Sequence, residues 1–234
     1  RSALTRAALT LAVALAAITP WTVRNLIESG SVVPISSNDG VNFYIGHSPG
    51  ADGRSRKVDE LVFRYAELEQ AEAEARISRD GYREGIEWAV KHPAREAELA
   101  ARKLFFLYWR DDEGLRWNDG HGERAVFSAR ERDAWIWLSN AYYYAVLALA
   151  GLGLGAAIIS MRSRLLSRDA LRDGLPRATV ILLLSVIACW TLVHIAFFGD
   201  PRFHAPVMPA FALFAGAGIA ALVRIASSRR ALTD

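Results

Sequence analysis

Two arginines stand at the ends of uncharged stretches, where a guanidinium can meet an anion. Arg24 closes the run Pro20-Trp21-Thr22-Val23-Arg24-Asn25, and Arg202 lies in Gly199-Asp200-Pro201-Arg202-Phe203-His204-Ala205-Pro206. The planar fork of arginine binds phosphate oxygens in pairs, so both positions suit a phosphate held at headgroup depth. His204 and the neutral donors Asn25, Asn38, Asn42 and Tyr44 lie in or near these two stretches. Weighed evenly against this is a simpler role, in which the two arginines only anchor helix ends at a membrane surface. No His-Glu-x-x-His, Gly-x-Ser-x-Gly, P-loop or dinucleotide fingerprint occurs, and a lone histidine is more often packed than ligating. His194 is the most unusual of the five, because it sits inside an apolar stretch. The acidic run Asp111-Asp112-Glu113 lacks calcium-loop spacing and reads as a turn.

The elements that must position these residues follow from the distribution of charge. The chain has 234 residues, 52% hydrophobic and 23% charged, averages that a soluble domain could share. Its uncharged residues are nevertheless grouped into Ala7–Val23, Ala134–Met161, Ala178–Gly199 and Phe203–Val223, none of which contains Asp, Glu, Lys or Arg. A bilayer crossing needs about 20 predominantly apolar residues, so four crossings are expected. This excludes a simple cytosolic enzyme, a disordered chain and a disulfide-built domain. Cys189, the only cysteine, lies within an apolar block and has no partner for a disulfide.

Charge asymmetry gives an orientation. Met161–Arg177 carries five Arg against two Asp, whereas Arg24–Leu138 holds 17 basic and 21 acidic residues. Short Arg-rich loops stay cytoplasmic and long ones translocate largely regardless of charge. The layout is therefore helix one at 1–23, an extracytoplasmic region at 24–138, helix two at 139–161 and a cytoplasmic loop at 162–177. Helix three follows at 178–199, an extracytoplasmic turn at 200–203, helix four at 204–223 and a cytoplasmic tail at 224–234. Trp21, Trp135, Trp137, Tyr142–Tyr144, Phe197, Phe198 and Phe203 all fall at the outer ends of these segments, as an aromatic belt requires.

Within the outer region, Glu28–Arg56 is rich in Ser, Gly, Asn and Pro, has no helical period and reads as a loop. Asp59–Trp109 reads as helical, with Gly81 breaking one helix and Pro93 opening another. That last helix ends in Leu104-Phe105-Phe106-Leu107-Tyr108-Trp109, expected at the membrane surface or against the bundle. Gly151, Gly153 and Gly155 in segment two, and Gly216 and Gly218 in segment four, supply faces for close helix packing.

The order Pro-Trp-Thr-x-Arg-Asn, Pro-Ile-Ser-x-Asn-x-Gly-x-Asn-x-Tyr-x-Gly, a helical outer loop and Gly-Asp-x-Arg-x-x-x-Pro resembles the C-terminal half of family 39-like membrane glycosyltransferases. That group includes the protein mannosyltransferases and the aminoarabinose transferases. The resemblance covers nearly the whole chain. It implies an all-α integral membrane protein, part of a C-class glycosyltransferase fold in the cytoplasmic membrane, that takes a sugar from a polyprenyl-phosphate donor. It also implies a substrate-binding set of Arg24, Asn25, Asn38, Asn42, Tyr44, Arg202 and His204. In that family the catalytic carboxylates lie in the first outer loop, to which nothing here corresponds; Asp39 and Asp200 are weak substitutes.

The chain is accordingly expected to be a C-terminal fragment, inactive alone, whose partners are the polyprenyl-phosphate-linked sugar, membrane lipid and a missing N-terminal part of the same polypeptide. No cofactor is expected in this chain and no nucleic-acid partner; a divalent cation in the full enzyme is left open. The competing readings are a membrane protein with a partner-binding outer helical region and a transporter subunit, since fold-level likeness is not function.

Overall fold

The computed structural model describes residues 2–30, 32–121, 126–166 and 175–230. Every regular element among them is helical: α1 (Ala3–Ser29), α2 (Asn38–Gly46), α3 (Asp59–Val62), α4 (Gln70–Lys91), α5 (Pro93–Tyr108), α6 (Glu113–His121), α7 (Ala129–Leu166), α8 (Arg177–Ala196) and α9 (Met208–Arg230), with 3₁₀ turns at Phe63–Tyr65 and Pro201–Val207. Four helical stretches are long and apolar enough to cross a membrane: Ala3–Glu28, Ala129–Met161, Arg177–Ala196 and Pro201–Ser228. The regular structure of the described residues is thus all helical, with four helices that could cross a membrane. Residues 167–174 of the expected cytoplasmic loop and 231–234 of the tail lie outside the described residues.

The chain divides into two compact units, Arg1–Arg102 with Ala196–Phe198, and Lys103–Ile195 with Gly199–Asp234. In the first, α1 starts where the Ser2 side chain accepts from the Thr5 N–H. It ends at Gly30, whose φ of 64° reverses the backbone and lets its N–H bond to the Leu26 carbonyl. The helix therefore runs well past residue 23, because nothing before Gly30 stops it. None of the residues in its apolar window is buried by the chain's own packing.

The segment read as a loop contains α2, and Gly81 lies inside α4 instead of breaking it. One contact explains both departures. A Cβ at Gly40 would lie 1.8 Å from the Ser78 carbonyl oxygen, and one at Gly81 would lie 2.4 Å from that of Gly40. The backbones of α2 and α4 touch, so glycine is required at both positions. A nine-residue helix is marginal in isolation; burial of Tyr44 and Ile45 supports this one.

In the second unit α7 begins at Ala129, not 139, and runs for 38 residues, about 57 Å at 1.5 Å per residue. It packs on α9 around Ala150, Ala157, Phe214 and Ala215. A Cβ at Gly153 would meet the Phe214 carbonyl oxygen at 1.8 Å, and one at Gly218 the Leu149 oxygen at 2.2 Å. Gly151, Gly155 and Gly216 have open space instead. The Tyr108 carbonyl that ends α5 and the Trp109 carbonyl just after it are satisfied from α7: the Tyr143 hydroxyl donates to Tyr108 at 3.1 Å and Tyr144 donates to Trp109. The greasy end of α5 is thus only partly covered, with Leu107 buried and Phe105 exposed.

Candidate functional site

The end of α1 is where the first motif does its work. The Trp21 indole N–H donates to the Ile35 carbonyl at 2.6 Å, the Thr22 hydroxyl to Pro34 at 2.8 Å, and the Asn25 amide to Val33 at 3.0 Å. Three side chains on neighbouring turns strap residues 33–35 along the helix. Asn25, expected to bind substrate, is committed to this strap. Arg24 is not. It is exposed, its guanidinium lies 5.1 Å from the Trp21 ring, and it donates to Asn25 Oδ1 at 3.4 Å. Among the described residues no carboxylate pairs with it. Arg24 lines a cavity of about 440 Å³, together with Trp21, Asn25, Glu28, Ser37, Gln70 and Glu74.

Glu74 is held within that cavity by the Ser37 hydroxyl at 2.6 Å and the Gln70 amide at 3.0 Å. Those hydrogen bonds, Ser37's first, keep its carboxyl below the ordinary glutamate range. Asn38, Asn42 and Tyr44 do not line the cavity. Asn38 is exposed and Asn42 half-buried one turn apart on α2, while Tyr44 is buried with the Arg56 guanidinium 6.0 Å from its ring. Burial pushes the Tyr44 hydroxyl up from its ordinary value. Asp39 accepts from the Ser78 hydroxyl at 2.7 Å and from its neighbour's N–H at Gly40, which occupies one of its oxygens.

In the second unit Asp200 caps the 3₁₀ turn by accepting from the Arg202 N–H at 3.1 Å, and its carboxylate pairs with the Arg202 Nε at 3.4 Å. Burial raises the Asp200 carboxyl above its ordinary value. Arg202 lies against Trp117 and Phe203, with centroid distances of 5.7 and 4.9 Å. His204 is fully buried. Its ring nitrogens face the Leu107 carbonyl at 3.0 Å and the Asp111 carboxylate at 3.4 Å, and the ring stacks on Tyr143 at 4.6 Å. Those contacts give it a structural use; it presents no open edge to a ligand. His194 stacks on Phe203 at 4.6 Å.

The acidic run read as a turn holds a buried charge network. Asp112 is 2% exposed and pairs with Arg110 at 3.0 Å and Arg116 at 2.9 Å, while Arg110 also reaches Glu113 at 2.9 Å. A buried carboxylate needs such partners. The arginine spacing around the run was the available signal, since Arg116 stands four residues after Asp112. Among the described residues no group of three His, Cys, Asp or Glu side chains is placed to hold a metal ion. The chain matches no protein-family model, no curated protein and no solved structure.

Proposed function

We propose that this chain forms the later helices of a membrane glycosyltransferase that moves a sugar from a polyprenyl-phosphate donor to an extracytoplasmic acceptor. In this reading it contributes contacts to lipid phosphate and acceptor, and the catalytic base lies elsewhere in the polypeptide. The observation that carries the reading is the setting of Arg24. An exposed guanidinium, with no carboxylate partner among the described residues, stands at the end of a membrane-length helix, on a cavity that also offers an indole face, two serine hydroxyls, the amides of Asn25 and Gln70 and the carboxylates of Glu28 and Glu74. Phosphate suits the first of these groups; sugar hydroxyls suit the rest. Arg202, exposed beside Trp117 at the start of the fourth span, offers a separate anion contact within the second unit. The experiment is transfer of labelled sugar from a polyprenyl-phosphate donor by the full polypeptide that carries this chain. Transfer that collapses in Arg24→Ala supports the reading; a protein that neither binds nor turns over such donors sinks it.

A second reading, a membrane protein whose outer helical region docks a partner protein, is favoured by exposed Phe63, Ile86 and Val90, which are 71%, 52% and 75% accessible. Those residues lie away from the Arg24 cavity lining, so Phe63→Ser with Val90→Ser separates the two readings. Sugar transfer survives that change under the first and partner capture is lost under the second.

A further inference from the structure

We propose that the cavity of about 820 Å³ lined by α6 and α7 is a second anion site, which holds the phosphate headgroup of an anionic membrane lipid. Arg116 reaches it from α6, and Arg132, Ile136, Trp137, Asn140 and Tyr144 reach it from one face of α7. Their spacing follows the helical repeat, so they form a stripe running along the helix axis.

Depth identifies the ligand class. The charge-free stretch of α7 begins at Ala134, directly after Arg132 and Asp133. Arg132 therefore stands at the water edge, with Ile136 and Trp137 about one turn deeper and Tyr144 about three. A phospholipid has the same order, with its phosphate outside the hydrocarbon and its chains within. Trp137 is 71% exposed and offers an indole face at the level where aromatic side chains meet headgroups. The cavity has the size of an organic ligand and not of a lone ion.

Arg116 is prepared for the anion. Its Nε donates to Asp112 at 2.9 Å, and Asp112 is itself buried and paired with Arg110. That bond fixes the guanidinium while both terminal nitrogens remain without a partner among the described residues, the arrangement a bidentate phosphate contact needs. Arg132 adds a second positive charge. Asp133, 3.6 Å from the Arg132 Nε and largely solvent-exposed, offsets only part of it, so the lining stays net positive. This site is independent of sugar transfer and does not depend on which membrane face the α6 end of α7 meets.

The test uses the purified full chain in detergent. Native mass spectrometry and a binding titration compare phosphatidylglycerol with phosphatidylcholine. Wild type is expected to favour phosphatidylglycerol, with Arg132→Gln weakening it about tenfold and Arg116→Gln with Arg132→Gln abolishing the preference. Arg130→Gln, a charge loss on α7 outside the lining, should leave it unchanged. Removing Arg116 strips a partner from buried Asp112, so Arg132→Gln alone decides the matter if the double variant does not fold. Unchanged lipid preference in Arg132→Gln, an equal loss in Arg130→Gln, or displacement of the lipid by millimolar inorganic phosphate would each overturn the proposal.

Discussion

The side-chain amide of Asn25 donates to the Val33 carbonyl at 3.0 Å, while among the described residues Arg24 beside it hydrogen-bonds to that same asparagine. Both residues line the same cavity, and Asn25 in addition holds the backbone of residues 33–35. The strap leads to a direct expectation. Thr22→Val and Asn25→Ala should each lower stability by about 1 kcal/mol, the ordinary net worth of one hydrogen bond. Both should open residues 33–36 to protease. A thermal melt in detergent with a timed digestion measures this, and wild-type protection in both variants would contradict it.

The glycines of α7 and α9 should separate sharply. Gly153→Ala and Gly218→Ala drive a methyl into facing backbone and are expected to cost roughly 1–3 kcal/mol, or more if the helices cannot part. Gly151→Ala meets open space within the same helix and should be neutral or stabilising by up to about 1 kcal/mol. Thermal midpoints of the three variants test the packing without reference to function. Equal midpoints would remove the close approach from the account.

The four spans and their aromatic ends were legible from sequence because charge and water exclusion act on whole segments. Their limits were less so. Residues 24–29 carry Arg24 and Glu28, yet they continue α1, since Gly30 is the first residue to reverse the backbone. The helix Asn38–Gly46 was hidden for a different reason. Its support comes from α4, and a residue such as Gly81 reads as a breaker until its facing backbone is known. For the site, Arg24 and Arg202 were legible as exposed cations at span ends. The commitment of Asn25 to Val33, and of His204 to Leu107 and Asp111, depends on tertiary partners that spacing alone does not reveal.

Glu74 gives a pH dependence. Its folded-state carboxyl is held below the ordinary value of 4.5 by Ser37 and Gln70, so the unfolded chain takes up its proton first as pH falls. The resulting stability is fully present above pH 4.5 and is lost as pH drops through the lower folded value. Acid unfolding of wild type and Glu74→Gln should therefore converge at low pH and diverge at neutral pH, with wild type the more stable. Parallel curves across the range would show that Glu74 gains nothing from these partners.

Charge asymmetry between the loops makes the topology testable with Cys189→Ser as background. Cysteines placed at exposed Ser55 and Ser228 should report opposite sides of the membrane, Ser55 labelled from outside and Ser228 only after permeabilisation. Labelling of both from outside would overturn the four-span layout.

The central claim is that Arg24 holds the phosphate of a lipid-linked sugar, and donor affinity is its most direct measure. In the full polypeptide, Arg24→Ala should weaken binding of a polyprenyl-phosphate sugar about ten- to a hundredfold, the worth of roughly 1.5–3 kcal/mol for a hydrogen bond to a charged group. Arg24→Lys should recover only part of that loss, because a point charge replaces a two-pronged donor. Unchanged donor affinity in Arg24→Ala, with folding intact, would return this arginine to the role of a helix anchor and contradict the proposed function.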